Sequence, residues 1–183
     1  VLALTAVSAA YALAQDIQAQ SPHHGSMSDQ RHQTSAFVKG VRESTARFRD
    51  VAVAEGEGYA LMFGCVSGPD SGAMGLHYVK LPLVVDGVLD PARPEIVIYE
   101  PLPSGGVRLI GADYLIFADA WHAKHPDSTP QLGGQLMHLI EAPNRYGLPT
   151  FYTLHVWAWK DNPTGMFVNW HPKVTCDNFS ATD

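Results

Sequence analysis

The 183-residue chain lacks the short motifs that usually announce a reaction mechanism. It contains no GxSxG for a nucleophilic serine, no GxxxxGKS or GxGxxG for phosphates and no HExxH for zinc. Charged residues make up 16% of the chain and the net charge is −6, so electrostatics favour neither nucleic acid nor an anionic membrane surface as a partner. After the N-terminal apolar run, proline, glycine or charge interrupts every apolar stretch before it reaches the ~20 residues of a membrane span. The composition is that of a compact soluble protein, and no motif identifies a reaction.

Cysteine is scarce as well. Cys65 and Cys176 are the two cysteines of the chain, and neither belongs to a CxxC motif. In an exported protein, two such cysteines most simply form one disulfide. Free thiols or soft metal ligands are the alternative interpretation. We predict the disulfide Cys65–Cys176.

The chain opens with an alanine-rich apolar run, VLALTAVSAAYALAQ, that has no charge before Asp16. Ala12-Leu13-Ala14 has the small-x-small pattern that precedes a signal-peptidase cut. Residues 1–14 are therefore predicted to be the remnant of a signal peptide, and the protein to be periplasmic or secreted. A membrane anchor or a buried helix is the alternative, but the run is short for a span and a polar stretch follows it.

Polar residues without apolar periodicity fill positions 15–34, which we interpret as a flexible leader. Residues 35–183 are predicted to form one domain. Its first element is a helix, because apolar residues recur there at intervals of three and four. Ser35 is the expected N-cap, and Gly56 with Gly58 the expected end.

Strand-like runs follow the helix and predict an antiparallel sheet. The clearest are Glu95–Glu100 and Val107–Phe117, which a Ser-Gly-Gly turn joins into a hairpin. The predicted fold is α+β, with the N-terminal helix packed on a sheet that curls toward a small barrel, and a β-sandwich is the nearest alternative. Residues 119–149 mix proline and glycine with a short apolar segment, which is typical of a lid or pocket wall, or of a connector.

Five segments, in this order, resemble those of a known family: MGLHYVK, DGVLDPARPEIVIYEP, VRLIGADYLIF, AWHAKHP and LHVWAWKDNPTGMFVNWHPKVTC. The likeness covers roughly residues 55 to 177, and the HVWAWKDNPTGMF motif is its most specific part. On these motifs the chain resembles a family of exported bacterial proteins. Members usually have Glu where this chain has Asp113 and Asn where it has Lys80 and His171, so a ligand or base at Asp113 would have a shorter reach. The resemblance implies compartment and fold, and it implies no activity.

Histidines and carboxylates on the predicted strands are the candidates for chemistry. Alternation places His77, Glu100 and His155 on the same faces as apolar neighbours, which indicates that these polar side chains point inward. A buried charge must be paired, hydrogen-bonded or bound to a metal. The set predicts a two-His-one-carboxylate site for zinc, iron or copper, with Asp113 as the alternative carboxylate. The competing interpretation is that both histidines are core residues bonded to carbonyl or hydroxyl groups, while Glu100 lies at a strand end in water.

Aromatic residues are concentrated in the predicted β portion. Packing in the core is their default role, but sheet aromatics also line small-molecule cavities. Tyr78, Trp157 and Trp159 are the predicted ligand-binding residues, with the two tryptophans on the same strand face as His155. The sequence thus predicts an exported protein that binds a small ligand or metal ion in a His/aromatic pocket. A metal-dependent enzyme that uses the same residues, with residues 119–149 as lid, is the alternative.

Overall fold

The structure, a computed structural model, describes residues 27–180. The predicted signal-peptide remnant, residues 1–14, lies outside the described residues, as does the predicted leader up to residue 26. The rest of that leader is helical, because the first helix begins at Met27 and not at Ser35. Once a helix is nucleated, each further residue adds a hydrogen bond, so polar turns can extend a helix that is anchored elsewhere.

The predicted N-terminal helix is divided into three parts. The helix α1 spans Met27–Thr45, a 3₁₀ turn spans Ala46–Arg49, and α2 spans Val51–Gly56. The break lies at Asp50, whose backbone is extended and whose carboxylate accepts a hydrogen bond from the amide of Ala52. Asp50 therefore caps a new helix instead of continuing the old one. The helical region ends at Gly56, as predicted.

Six strands form one antiparallel sheet in the order β1-β2-β3-β4-β8-β7. Their bounds are Ala60–Gly68 (β1), Gly72–Val79 (β2), Ile96–Pro101 (β3), Val107–Phe117 (β4), His138–Ile140 (β7) and Phe151–Val156 (β8). A small separate hairpin pairs Gln131–Leu132 (β5) with Gln135–Leu136 (β6). Two short helices are Leu81–Val85 (α3) and Ala118–His122 (α4). The predicted hairpin is confirmed as β3 and β4.

The two faces of the sheet are covered by different parts of the chain. On one face, α1 buries Phe37, Val38 and Val41 against residues of β4 and β8 such as Tyr114 and Leu154. The other face is concave and is covered in part by the segment of residues 157–180. The curled antiparallel sheet packed with a helix confirms the predicted α+β fold.

Close approach of backbones is what allows the sheet to curl. Gly75 has a φ of 102°, and a Cβ there would lie 2.4 Å from the carbonyl oxygen of Tyr99. A Cβ on Gly111 would lie 2.5 Å from the carbonyl oxygen of Val156. Any larger residue would force neighbouring strands apart, and irregular register in the β1–β2 and β3–β4 pairs adds local bending. These glycines therefore help to fold β2 and β8 toward each other.

The predicted disulfide is confirmed. Cys65 on β1 bonds to Cys176, with a Cα–Cα distance of 5.7 Å and a sequence separation of 111. It fastens the segment 157–180 to the edge of the sheet, and a pair of backbone hydrogen bonds between Ala73 and His171 attaches the same segment to β2. None of the helices within residues 27–180 has the length and apolarity that crossing a bilayer requires.

Candidate metal centre

Three strands each contribute one polar side chain to the concave face. His77 comes from β2, Asp113 from β4 and His155 from β8. Asp113 and His155 are direct cross-strand partners, and Ile96 of β3 pairs with Asp113 on its other side. Directly opposed residues share a face of an antiparallel pair, so alternation within each strand aims these side chains into the same space. The inward direction predicted for both histidines agrees with this arrangement.

The curl of the sheet is what brings His77 to the other two. In a flat sheet, three strand spacings would separate β2 from β8 by about 14 Å. Here the ring centroids of His77 and His155 are 5.5 Å apart. Side-chain nitrogen and oxygen atoms of the three residues, one from each, lie within 4.8 Å of one another, and all three residues are buried. In the part of the chain that the structure describes, this is the one group of three or more such side chains close enough to share a metal ion.

Asp113 supplies negative charge to the cluster. Burial opposes its ionisation, but the imidazole of His155 and the hydroxyl of Thr153 outweigh burial and lower the pKa of Asp113. Thr153 donates a hydrogen bond of 2.6 Å to one carboxylate oxygen. The other oxygen lies 3.3 Å from Nδ1 of His155. Thr153 thereby fixes the carboxylate and leaves its second oxygen for the cluster.

His77 is held in one tautomer. Its Nδ1 lies 3.2 Å from the carbonyl oxygen of Gly75, and because a carbonyl only accepts, Nδ1 carries the proton and Nε2 the lone pair. Burial and the nearby His155 lower the pKa of His77 to about 4, so the ring is neutral near pH 7. A neutral imidazole whose other nitrogen donates to a carbonyl is the usual state of a metal-ligating histidine.

His155 is the least satisfied group of the cluster. It is 1% exposed, and neither ring nitrogen has a hydrogen-bond partner among the described residues. Its contact with Asp113 is close enough for an ion pair but lacks the direction of a hydrogen bond. Buried polar atoms normally have a partner, and two free nitrogens on one ring are an exception that calls for an explanation. A metal ion at the cluster would supply one.

Glu100, the carboxylate first predicted as a ligand, lies elsewhere. It pairs across the strands with Arg108, to which it forms an ion pair, and its other oxygen accepts a 2.6 Å bond from Lys160. Two cations therefore neutralise it near the end of β3. The register shift after Ile98 separates this end of the strand from the regular alternation that had grouped Glu100 with the histidines. The carboxylate that the structure brings to the histidines is Asp113, the alternative.

None of the three predicted ligand-binding aromatics lines the space beside the cluster. Tyr78 packs on Tyr99, with centroids 5.0 Å apart, on the face that the helices cover. Trp159 donates its indole N–H to Thr45 of α1, so it also lies toward the helices. Trp157 contacts the ring of His155 from the side but is itself 1% exposed. Trp157 thus shares the sheet face of His155, as predicted, and packs with the pocket-lining residues Ile96, Leu115 and Phe151. Trp159 does not, because β8 ends at Val156 and the alternation stops there.

A pocket borders the cluster, with about 420 Å³ of free space when the open solvent at its mouth is included. Its polar lining comes from the three cluster residues together with Thr153 and Asn169. The remaining lining is apolar or aromatic: Phe63, Met74, Ile96, Leu115, Ile140, Tyr146, Leu148 and Phe151. Residues 119–149 supply three of these, so their interpretation as a pocket wall is confirmed.

Sequence reasoning missed the supporting polar residues. Thr153 lies two residues before His155 on the same strand, so alternation alone would have indicated its direction. Asn169 lies in irregular chain between Val168 and Trp170, where no periodicity points to it. Comparison of the chain with protein-family models, curated proteins and solved structures finds no match.

Proposed function

We propose that this protein binds a divalent transition metal ion through His77, Asp113 and His155. The observation that carries the proposal is a buried set of two imidazoles and one carboxylate whose ligand atoms lie within 4.8 Å of one another. The two nitrogens of His155 support it, because neither has a hydrogen bond within the described residues and a buried polar atom without one is costly. The ionised carboxylate also leaves a buried negative charge that a cation would offset.

The donor set favours zinc, iron or copper over magnesium or calcium, since imidazole suits the former group and oxygen-only sites the latter. Three protein ligands leave coordination positions open in either zinc or iron(II) geometry. Hydrogen bonds orient two of the three ligands: His77 donates to the carbonyl of Gly75, and Asp113 accepts from the hydroxyl of Thr153.

Elemental analysis of protein purified without an affinity tag tests the proposal. We expect about one equivalent of a transition metal per chain, and its loss in Asp113→Asn and in His155→Gln. His138→Gln is the matched control, because His138 is an exposed histidine outside the cluster. Glu100→Gln should also keep the metal, which separates this site from the set predicted first.

Thermal melts of each variant establish that it is folded before its metal content is compared. Wild-type protein that takes up no zinc, iron or copper after incubation with each would refute the site. Equal metal content in wild type and in both cluster variants would refute the assignment of these ligands.

We further infer that the protein acts outside the cytoplasm, as a periplasmic or secreted protein. The disulfide Cys65–Cys176 supports this location, since disulfides persist mainly in oxidising compartments. The predicted signal-peptide remnant and the resemblance to an exported family point the same way. Fractionation of cells that express the natural precursor would test it, and recovery in the cytoplasm with both thiols reduced would contradict it.

A metal-dependent enzyme is the second candidate, and the pocket is the observation that favours it. The cluster residues themselves line the pocket, so an open coordination position would face a space that admits a small molecule. Nitric oxide added to iron(II)-loaded protein tests for that position, because an open site gives the EPR signal of an iron–nitrosyl complex. A metal closed off by protein ligands would give none, and the role would then be structural.

A further inference from the structure

Aromatic rings form one wall of the pocket. Tyr146 lies edge-on to Phe63 at 5.6 Å and edge-on to Phe151 at 6.2 Å, with interplanar angles of 67° in both pairs. A ligand ring can extend such a row in the same edge-to-face geometry, which aromatic pairs prefer. The volume of about 420 Å³ includes open solvent at the mouth, so the enclosed part of the pocket is small. The shape and lining therefore suit a single-ring molecule.

Asn169 gives the pocket a polar contact outside the metal cluster. Its side-chain oxygen is buried and has no hydrogen-bond partner among the described residues. The chain just before Asn169 is held in place by Trp157. The indole N–H of Trp157 donates to the carbonyl oxygen of Val168, 2.6 Å away, and the backbone amide of Trp157 donates to the carbonyl oxygen of Met166. A buried acceptor held in this way is stabilised by a ligand that brings an O–H or N–H group. A hydroxyl both donates and accepts, so it suits the amide in either orientation.

Phe63 lies at the mouth of the pocket in a backbone conformation that is rare for an aromatic residue. Its φ is 66°, and its side chain is part of the lining although the residue is 43% exposed. Non-glycine residues with positive φ are strained and are found preferentially at ligand clamps and active sites. Phe63 lies in the irregularity of the β1–β2 register between Met62 and Cys65, and its ring contacts that of Tyr146.

From these three features we propose that the pocket binds a small aromatic molecule with one hydroxyl group, that is, a phenol. The ring packs against Phe63, Tyr146 and Phe151, and the hydroxyl bonds to Asn169. This inference rests on the proposed function for the metal ion, which the cluster residues would hold beside the bound ring. Aromatic packing and the Asn169 bond do not themselves require the ion.

Phenol and toluene are the probes, since they share the ring and differ in the hydroxyl. Binding is measured by titration calorimetry on protein treated with EDTA and on zinc-loaded protein. We expect phenol to bind both forms and toluene to bind more weakly. Asn169→Leu, which keeps the branched shape and the number of heavy atoms, should lower the affinity for phenol about fivefold to tenfold and leave that for toluene unchanged or higher.

Phe63→Ala should lower the affinity for both phenol and toluene, because each loses its contact with the ring of Phe63. Leu81→Ala is the matched control, since Leu81 is an exposed apolar residue on α3 outside the pocket lining. No binding of phenol to either form of the wild-type protein would overturn the proposal. A ratio of phenol to toluene affinity that Asn169→Leu leaves unchanged would overturn the role of Asn169 and with it the preference for a hydroxyl.

The two proposals fail in different ways. Phenol binding to metal-free protein that takes up no transition metal would retain the pocket and refute the metal site. Metal uptake lost in Asp113→Asn, together with no phenol binding in any form, would retain the metal site and refute the pocket. Phenol binding that appears only with zinc and is insensitive to Asn169→Leu would show coordination to the ion alone, which also refutes the proposed contact.

Discussion

Replacing Glu95 by glutamine should remove a pH dependence from the stability of the protein. Glu95 is 1% exposed, and one of its carboxylate oxygens accepts a 3.1 Å bond from the amide of Leu115. Burial raises the pKa of Glu95 from 4.5 to about 8, although the Leu115 amide and its own backbone amide oppose the shift. The folded protein therefore keeps this proton at neutral pH, whereas the unfolded chain has lost it.

The sign of the effect follows from that difference. Between the unfolded pKa of 4.5 and the folded pKa of about 8, the unfolded state binds fewer protons, so the free energy of unfolding falls as pH rises. Over the whole window the loss is ~3–5 kcal/mol for this one group, because each pKa unit corresponds to ~1.4 kcal/mol. Glutamine stays neutral and keeps an oxygen that accepts from Leu115. The free energy of unfolding of the variant, relative to that of wild type, should therefore increase by this amount as pH rises.

Urea unfolding of both proteins at several pH values from about 5 to about 8 measures the difference. All other ionisable groups are common to both proteins, so their contributions to the pH dependence cancel in the difference. Glu141→Gln is the control, since Glu141 is exposed and should show a constant difference from wild type. A constant difference for Glu95→Gln as well would refute the reasoning, because it would mean that Glu95 ionises equally in both states.

Three further predictions concern stability and metal affinity. Intact mass should show no alkylation of Cys65 or Cys176 without reductant, and labelling of either thiol in native protein would contradict the disulfide. Reduction should lower the melting temperature, because closing a loop over a separation of 111 residues adds ~5 kcal/mol to the free energy of unfolding. Gly111→Ala should lower the free energy of unfolding in urea by about 2 kcal/mol or more, since its Cβ would meet a strand carbonyl at 2.5 Å. Gly40→Ala, in open space on α1, should raise the free energy of unfolding by ~1 kcal/mol, and equal effects of the two substitutions would refute the close approach at Gly111. Thr153→Val should weaken zinc binding about tenfold or more in competition titrations, while Thr153→Ser retains it; no change in the valine variant would show that the hydroxyl does not position the carboxylate.

Local pattern was sufficient to predict much of the fold. The β-branched run before Glu100 and the Ser-Gly-Gly turn identified the β3–β4 hairpin, because strand alternation and turn chemistry are properties of neighbouring residues. Two cysteines in one chain left one intramolecular pairing to test. The start of α1 was predicted too late because its first turns carry no apolar stripe, and such turns are held by the helix that follows them.

The candidate site was harder because its geometry is set by the sheet as a whole. Alternation gave the directions of His77 and His155, but not which carboxylate lies between them. Glu100 and Asp113 both lie among apolar strand residues, and the choice depends on the β3–β4 register and on the cations that pair with Glu100. The lining of the pocket could not be predicted from local sequence patterns, since one of its polar residues, Asn169, comes from an irregular segment.

The disulfide also constrains which part of the chain can leave the concave face. Cys65 follows Phe63 closely on β1, so the bond to Cys176 anchors the segment of residues 157–180 next to the pocket mouth. That covalent anchor prevents the segment from swinging away as a hinged flap. Asn169 therefore stays beside the concave face while the bond is intact, and the bond would have to be reduced before this part of the chain could leave as a unit.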